Sequence, residues 1–145
     1  VVCNLAGTLQ NTKERSDTMK KTVFQIFLLS LISISCNDRD LGDGYFYLPK
    51  YESIDIGYPN CEAILYKSTA EYVFSNVRIR GDVIEVKSNS KYIIVKRDPL
   101  IEYDKNTGII EYYVLLKDND SLIGPLNKIL FEKKIDNLNI KLKLQ

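Results

Sequence analysis

Residues 83–95 read Val-Ile-Glu-Val-Lys-Ser-Asn-Ser-Lys-Tyr-Ile-Ile-Val, and the fold class turns on this stretch. Over Asp82–Lys87 the chain alternates, with Val83 and Ile84 on opposite faces, as a half-buried strand requires. Ser88-Asn89-Ser90 is a cluster of turn-forming residues, and Tyr92–Lys96 is an apolar run of strand length. Two such runs joined by a short polar turn predict an antiparallel hairpin over Val83–Val95. Upstream, Val77–Arg80 alternates, which puts Val77 and Ile79 on one face and Arg78 and Arg80 on the other. Ala63–Tyr66 and the aromatic run Tyr45–Leu48, ended by Pro49, add two further strands. Downstream, Asp104-Lys105-Asn106-Thr107-Gly108 is a strong turn signal ahead of the strand Ile109–Lys117, which Asp118-Asn119-Asp120 ends.

Gly124-Pro125 then reads as a break, and the hydrophobic period changes. Leu126, Ile129, Leu130, Lys133, Lys134 and Leu138 stand at helical spacing. Asn127 suits the N-cap, because its side-chain oxygen can accept from an unpaired backbone N–H of the first turn. Lys133 and Lys134 fall near the helix end, where the dipole favours cations. Leu138–Leu144 alternates Leu and Ile with Asn and Lys, the pattern of an edge strand guarded by lysines. The expected fold is α+β, an antiparallel sheet of about five strands with one C-terminal helix packed on it. The alternative is an all-β barrel or sandwich with a peripheral helix.

The N-terminal third has a different character. Met19, the single methionine, is followed by Lys20-Lys21 and a 14-residue stretch, Thr22–Ser35, rich in Phe, Ile and Leu. A basic start, an apolar run and small residues form the layout of a secretory signal. As a helix this run spans about 21 Å, short of the ~30 Å hydrocarbon core, so it suits a cleaved signal better than a permanent span. The segment Ser33-Ile34-Ser35-Cys36 resembles the lipobox of bacterial lipoproteins, departing from its usual aliphatic residue at Ser33. That resemblance implies cleavage between Ser35 and Cys36, a diacylglycerol on the Cys36 thiol and acylation of the new amino group. An ordinary cleaved signal with Cys36 as a thiol, and a short uncleaved anchor, are the alternatives. The expected organisation is an upstream segment 1–18 ahead of the true start, a signal peptide 19–35, a polar tether 36–44 and a single globular domain 45–145.

Composition limits the chemistry. The chain has 145 residues, 20 Lys plus Arg against 19 Asp plus Glu, and neither His nor Trp. Loss of Lys13, Arg15, Lys20, Lys21, Glu14 and Asp17 with residues 1–35 leaves 16 basic and 17 acidic residues, a net charge of about −1. That balance argues against nucleic-acid binding. It also leaves the lipid, rather than electrostatics, to hold the chain at a membrane. Without His the usual general base near neutral pH and the commonest metal ligand are missing. Cys3, Cys36 and Cys61 match no zinc-site spacing. Asp38, Asp40 and Asp43 lack the spacing and terminal Glu of a calcium loop. No metal or cofactor is expected.

The segments Asp40–Pro49, Ile64–Ser68, Tyr92–Lys96 and Tyr112–Lys117 have counterparts in a known family. So does Gly124-Pro125-Leu126, with Phe131-Glu132 and Leu138 after it. Through them the chain resembles a family of small bacterial lipoproteins known only as a domain of unknown function. The resemblance implies export and one compact domain, and carries no catalytic residues. Related sequences often place an acidic residue early in the last helix, where this chain has Lys128 and Ile129, so its helix start is weaker.

Tyrosine, with ten copies, is the most distinctive residue. Tyr45 and Tyr47 share one strand face and are the expected binding patch, since exposed Tyr anchors partner proteins or stacks on sugars. The competing reading is that Tyr fills half-buried strand positions in a chain without Trp. Cys61 follows Pro59-Asn60 in an expected turn, with no His nearby to activate it, and a disulfide to Cys36 would compete with lipidation. The expected role is a non-catalytic, lipid-anchored envelope protein that binds an envelope protein, with an immunity or inhibitor role as a variant. A structural part of an envelope complex is the alternative. A cell-wall hydrolase using Glu85, Glu102 or Glu111 is a third reading, which needs two carboxyl groups in one cleft.

Overall fold

The computed structural model describes residues 39–103 and 105–145. They form ten short strands and two helices. The order is β1 (Asp40–Gly42), β2 (Tyr45–Leu48), α1 (Lys50–Asp55), β3 (Ile64–Lys67), β4 (Asn76–Ile79), β5 (Val83–Ser88) and β6 (Tyr92–Arg97). Then come β7 (Leu100–Glu102), β8 (Lys105–Asn106), β9 (Glu111–Leu116), β10 (Ser121–Leu126) and α2 (Lys128–Asn137). The first sheet runs β1-β2-β3-β4, the second β10-β9-β6-β5, and β7-β8 is a separate ribbon, with every pair antiparallel. The antiparallel sheet and C-terminal helix stand, but about five strands becomes ten in three sheets, and no sheet closes into a barrel.

Period-2 alternation builds the layers. Tyr45, Leu65 and Ile79 of the first sheet meet Val83, Ile93, Val95, Tyr113 and Leu115 of the second in one core. The intervening residues face outward. Leu48, Ile64 and Tyr66 pack with Tyr58 and Phe74 on the far side of the first sheet. Ile94 and Val114 pack with Phe131 and Ile140 on the far side of the second. Tyr92–Lys96 is therefore continuously apolar because β6 is buried on both faces, which is also why Ile93, Ile94 and Val95 are all fully buried.

Three strands depart from simple alternation. In β4 a register shift puts Leu65 opposite Ile79 but Tyr66 opposite Val77. Arg78 is the extra residue, so Val77 and Ile79 end on opposite faces rather than the same one. In β5 a shift between Val83 and Glu85 turns Ile84 outward and lets Val83 and Val86 share the core. In β10 the shift falls between Ile123 and Leu126, so Gly124 and Pro125 lie within the strand instead of breaking the chain. β10 is a sheet edge, where a residue with no N–H to donate is tolerated.

The C-terminal helix begins as its sequence predicts. Asn127 is the N-cap, and its side-chain oxygen accepts from Leu130 N at 3.0 Å. Phe131 is carried onto the second sheet, where it stacks on Tyr112 with ring centroids 4.9 Å apart. The tail beyond the helix forms no strand. Its alternation instead places Ile140, Leu142 and Leu144 on the same apolar face. Its end is held by side chains: Lys96 Nζ donates to Gln145 O at 2.9 Å, and Gln145 N donates to Glu85 Oε2 at 2.9 Å. At the other terminus, Asp40–Gly42, read from composition as tether, pairs with β2 as an edge strand.

Candidate functional site

The expected patch of Tyr45 and Tyr47 lies on the core face of β2. Tyr45 is fully buried, and Tyr47 is half-buried against the same core with the rest of its side chain lining an open cleft. Their shared face was legible from the sequence, but that face meets the second sheet. The Tyr45 hydroxyl donates to Asp120 Oδ1 at 2.5 Å, while Lys67 Nζ lies 4.8 Å from the centre of its ring. Arg78, the bulged residue of β4, donates to Asp120 O at 2.8 Å and lies 3.4 Å from its carboxylate. Burial, the bond to Asp120 and its charge push the Tyr45 pKa above the ordinary phenol range. Burial would raise the Asp120 carboxyl. The Tyr45 hydroxyl, Arg78 and Lys67 outweigh it and hold that carboxyl below its ordinary value. Tyr47 donates to Val83 O at 3.1 Å, and burial, with Tyr51 and Asp82 nearby, pushes its pKa up to about 12. This cluster ties the two sheets together.

The outward features lie around the β7-β8 ribbon. An open cleft of about 450 Å³ is lined by Glu62, Arg80, Arg97, Leu100, Glu102 and Tyr103, among others. Arg97 reaches it from β6 and is fixed by Glu111, at 2.7 and 2.8 Å, and by donation to Arg80 O at 2.5 Å. Glu62 is buried and accepts from Gly81 N at 2.8 Å. At the rim, Ile101 and Tyr103 are 57% and 70% exposed. A Tyr and two Arg around one concavity are residue types enriched at protein interfaces. The sequence carried a signal for them: apolar residues flank the turn Asp104–Gly108, where the chain must run at the surface.

A second cleft, of about 440 Å³, lies where the ribbon meets α1, and Tyr47, Lys50, Tyr51, Asp82, Ile84 and Asn106 line it in part. Asp82 organises its floor. One carboxylate oxygen accepts from Lys50 Nζ at 3.2 Å and from Asn106 Nδ2 at 2.9 Å. Asp98 fixes the ribbon's far end by accepting from Thr107 Oγ1 and Gly108 N, each at 2.9 Å.

The three glutamates singled out from the sequence separate. Glu111 pairs with Arg97 and accepts from the Tyr113 hydroxyl at 2.8 Å. Glu85 holds the C-terminal amide, and Glu102 lines the first cleft, where the other carboxyl group is Glu62. Among the described residues no group of three or more His, Cys, Asp or Glu is placed to hold a metal ion. Cys61 ends a short 3₁₀ turn, Pro59–Cys61, and is a half-buried free thiol 3.5 Å from the Tyr103 hydroxyl. The signal segment, the Ser35–Cys36 cleavage point and Cys36 as lipid site lie outside the described residues. No described helix is long and apolar enough to cross a membrane.

No curated protein and no solved structure matches this chain. One family model does, over residues 50–145, a span that begins at α1 and takes in the first cleft, most of the second, the ribbon, the second sheet and the C-terminal helix. With well over half of its sequence inside that match, the chain belongs to the family described as Protein of unknown function (DUF3997).

Proposed function

We propose that the chain is the precursor of a bacterial envelope lipoprotein, anchored through Cys36, whose folded part is a non-catalytic module that binds another envelope protein. The anchor reading is supported by the order Lys20-Lys21, the apolar run Thr22–Ser35, then Cys36, only four positions before β1 begins at Asp40. The observation that carries the binding reading is the rim of the first cleft. Ile101 and Tyr103 stand exposed beside Arg80 and Arg97. Exposed apolar and aromatic side chains grouped around a polar concavity mark interaction surfaces. An inhibitor or immunity role is the same reading with a toxin or hydrolase as partner.

Site-specific photo-crosslinking in intact cells tests it. A crosslinker in place of Tyr103 is expected to capture one discrete neighbour. The same group at Ser90, in the β5–β6 turn, is expected to capture none, and Arg80→Ala in the Tyr103 derivative to reduce the adduct. Equal, diffuse capture from both positions would remove the ribbon as a binding surface.

A further inference from the structure

A second exposed apolar surface lies apart from the rim of the first cleft. Tyr51, Ile54 and Ile56 project from α1 and its end at 63%, 54% and 45% exposure, and Tyr72 and Val73 add 44% and 48%. These make up five of the eleven large hydrophobic side chains exposed among the described residues. Tyr51 and Ile54 stand one helical turn apart on the side of α1 opposite buried Glu52 and Ser53. On the other side of α1 the Tyr72 hydroxyl donates to Glu52. Ile84, 49% exposed, lines the same cleft as Tyr51.

The residue that ties this surface together is Arg39. It pairs with Glu52 at 2.7 Å and donates to the Tyr72 hydroxyl at 3.2 Å, and the nearby Tyr51 hydroxyl helps raise its pKa. Arg39 is three residues from Cys36. A fully extended chain covers at most ~3.6 Å per residue, so Arg39 stands within about 11 Å of a lipid-bearing Cys36. A segment that short cannot lift the domain clear of a bilayer. Whatever surrounds Arg39 meets the headgroups.

We infer that this end of the domain, with Tyr51, Ile54, Ile56, Tyr72 and Val73 at its surface, rests in the interfacial zone of the membrane and fixes the domain's orientation. The inference rests on the Cys36 anchor proposed above. Tyrosine suits that zone, with an apolar ring and a polar tip, and aliphatic side chains add buried area. Asp55 and Glu71 border the surface. Arg39 and Lys50 offset them, so the surface is close to neutral and a zwitterionic lipid is the match. The β5–β6 turn is at the other end of β5 from α1, where Ser88 donates to Leu41 O at 2.7 Å. The β5–β6 turn lies roughly 20 Å from the start of β5 at ~3.4 Å per residue. That start is joined to α1 through Lys50 and Asp82.

Because the chain has no Trp, one introduced Trp is a sole reporter. The full lipidated protein is purified as Tyr51→Trp, Ile54→Trp and Ser90→Trp and checked for acylation by mass. Each is inserted in phosphatidylcholine vesicles with a fraction of brominated lipid. The expected result is that Tyr51→Trp and Ile54→Trp lose most of their emission and shift to shorter wavelength, while Ser90→Trp keeps its emission. All three substitutions fall at exposed positions, so the fold should accept them. If the acylated protein is vesicle-bound but neither Tyr51→Trp nor Ile54→Trp is quenched more than Ser90→Trp, the orientation is overturned. The anchor then stands, and the face is left to a protein neighbour. If the protein carries no acyl group and stays in solution, both the anchor and the orientation fall.

Discussion

The Tyr45 hydroxyl donates to Asp120 Oδ1 at 2.5 Å, linking β2 of the first sheet to the turn between β9 and β10 in the second. Asp120 has a positive φ of 55°, a conformation held while its carboxylate also faces Lys67 at 3.6 Å and Arg78 at 3.4 Å. Tyr45→Phe keeps the ring in the core and deletes the one neutral donor. Hydrogen bonds to charged groups contribute about 1.5–3 kcal/mol, so a loss near 2 kcal/mol is expected. It would appear as a lower urea midpoint with an unchanged slope. An unchanged midpoint would mean that the two cations alone hold Asp120.

Alkaline pH should loosen the same core. Burial, with Tyr51 and Asp82 nearby, pushes Tyr47 up to about 12. Burial and the bond to Glu111 take Tyr113 to about 12. Unfolded tyrosine titrates near ~10. A folded pKa above the unfolded one means that the fold favours the neutral phenol. This stabilisation is complete below pH ~10 and is lost as pH rises toward 12. Thermal midpoints should be flat up to about pH 10 and fall above it. Tyr47→Phe should make the fall shallower, and an equally steep fall in the variant would assign it to other groups.

Gly124 is fixed by its neighbours. A Cβ there would meet Tyr113 Cδ1 at 2.4 Å and Tyr112 O at 2.9 Å, on a backbone with φ of +146°. Tyr113 cannot retreat freely, since it is buried in the shared core and lies under Arg97 at 5.0 Å. Gly124→Ala should cost about 3 kcal/mol, at the upper end of overpacking penalties. Gly108→Ala is the control. Nothing lies within 4 Å of a Cβ there, so only its φ of +73° is penalised, at about 1 kcal/mol. Similar losses in chemical denaturation for both would contradict the packing explanation.

What the sequence made legible follows the length and regularity of its patterns. The Val83–Val95 hairpin and the Asn127 cap were readable because each depends on residues a few positions apart. The shared face of Val77 and Ile79 and the break at Gly124-Pro125 were misread because a bulge depends on the partner strand, which local alternation does not encode. β1 carries a single apolar residue, Leu41, and looks like tether until β2 pairs with it. Tyr45 and Tyr47 were correctly placed on one face. Whether that face was core or surface depended on a second sheet whose strands lie far along the chain. The tail kept its alternation without a strand, because the face of the second sheet, not a neighbouring backbone, is what its leucines meet.

The lipid anchor is tested most directly by membrane partition, with mass analysis of the N-terminal peptide, for the wild type and Cys36→Ser expressed in a bacterial host. A lipid anchor on Cys36 means that the wild-type protein sediments with membranes and begins at an acylated Cys36. Cys36→Ser is then soluble or retained as uncleaved precursor. Soluble, identically cleaved proteins from both genes would contradict it, making Cys36 an ordinary thiol and the protein a secreted domain.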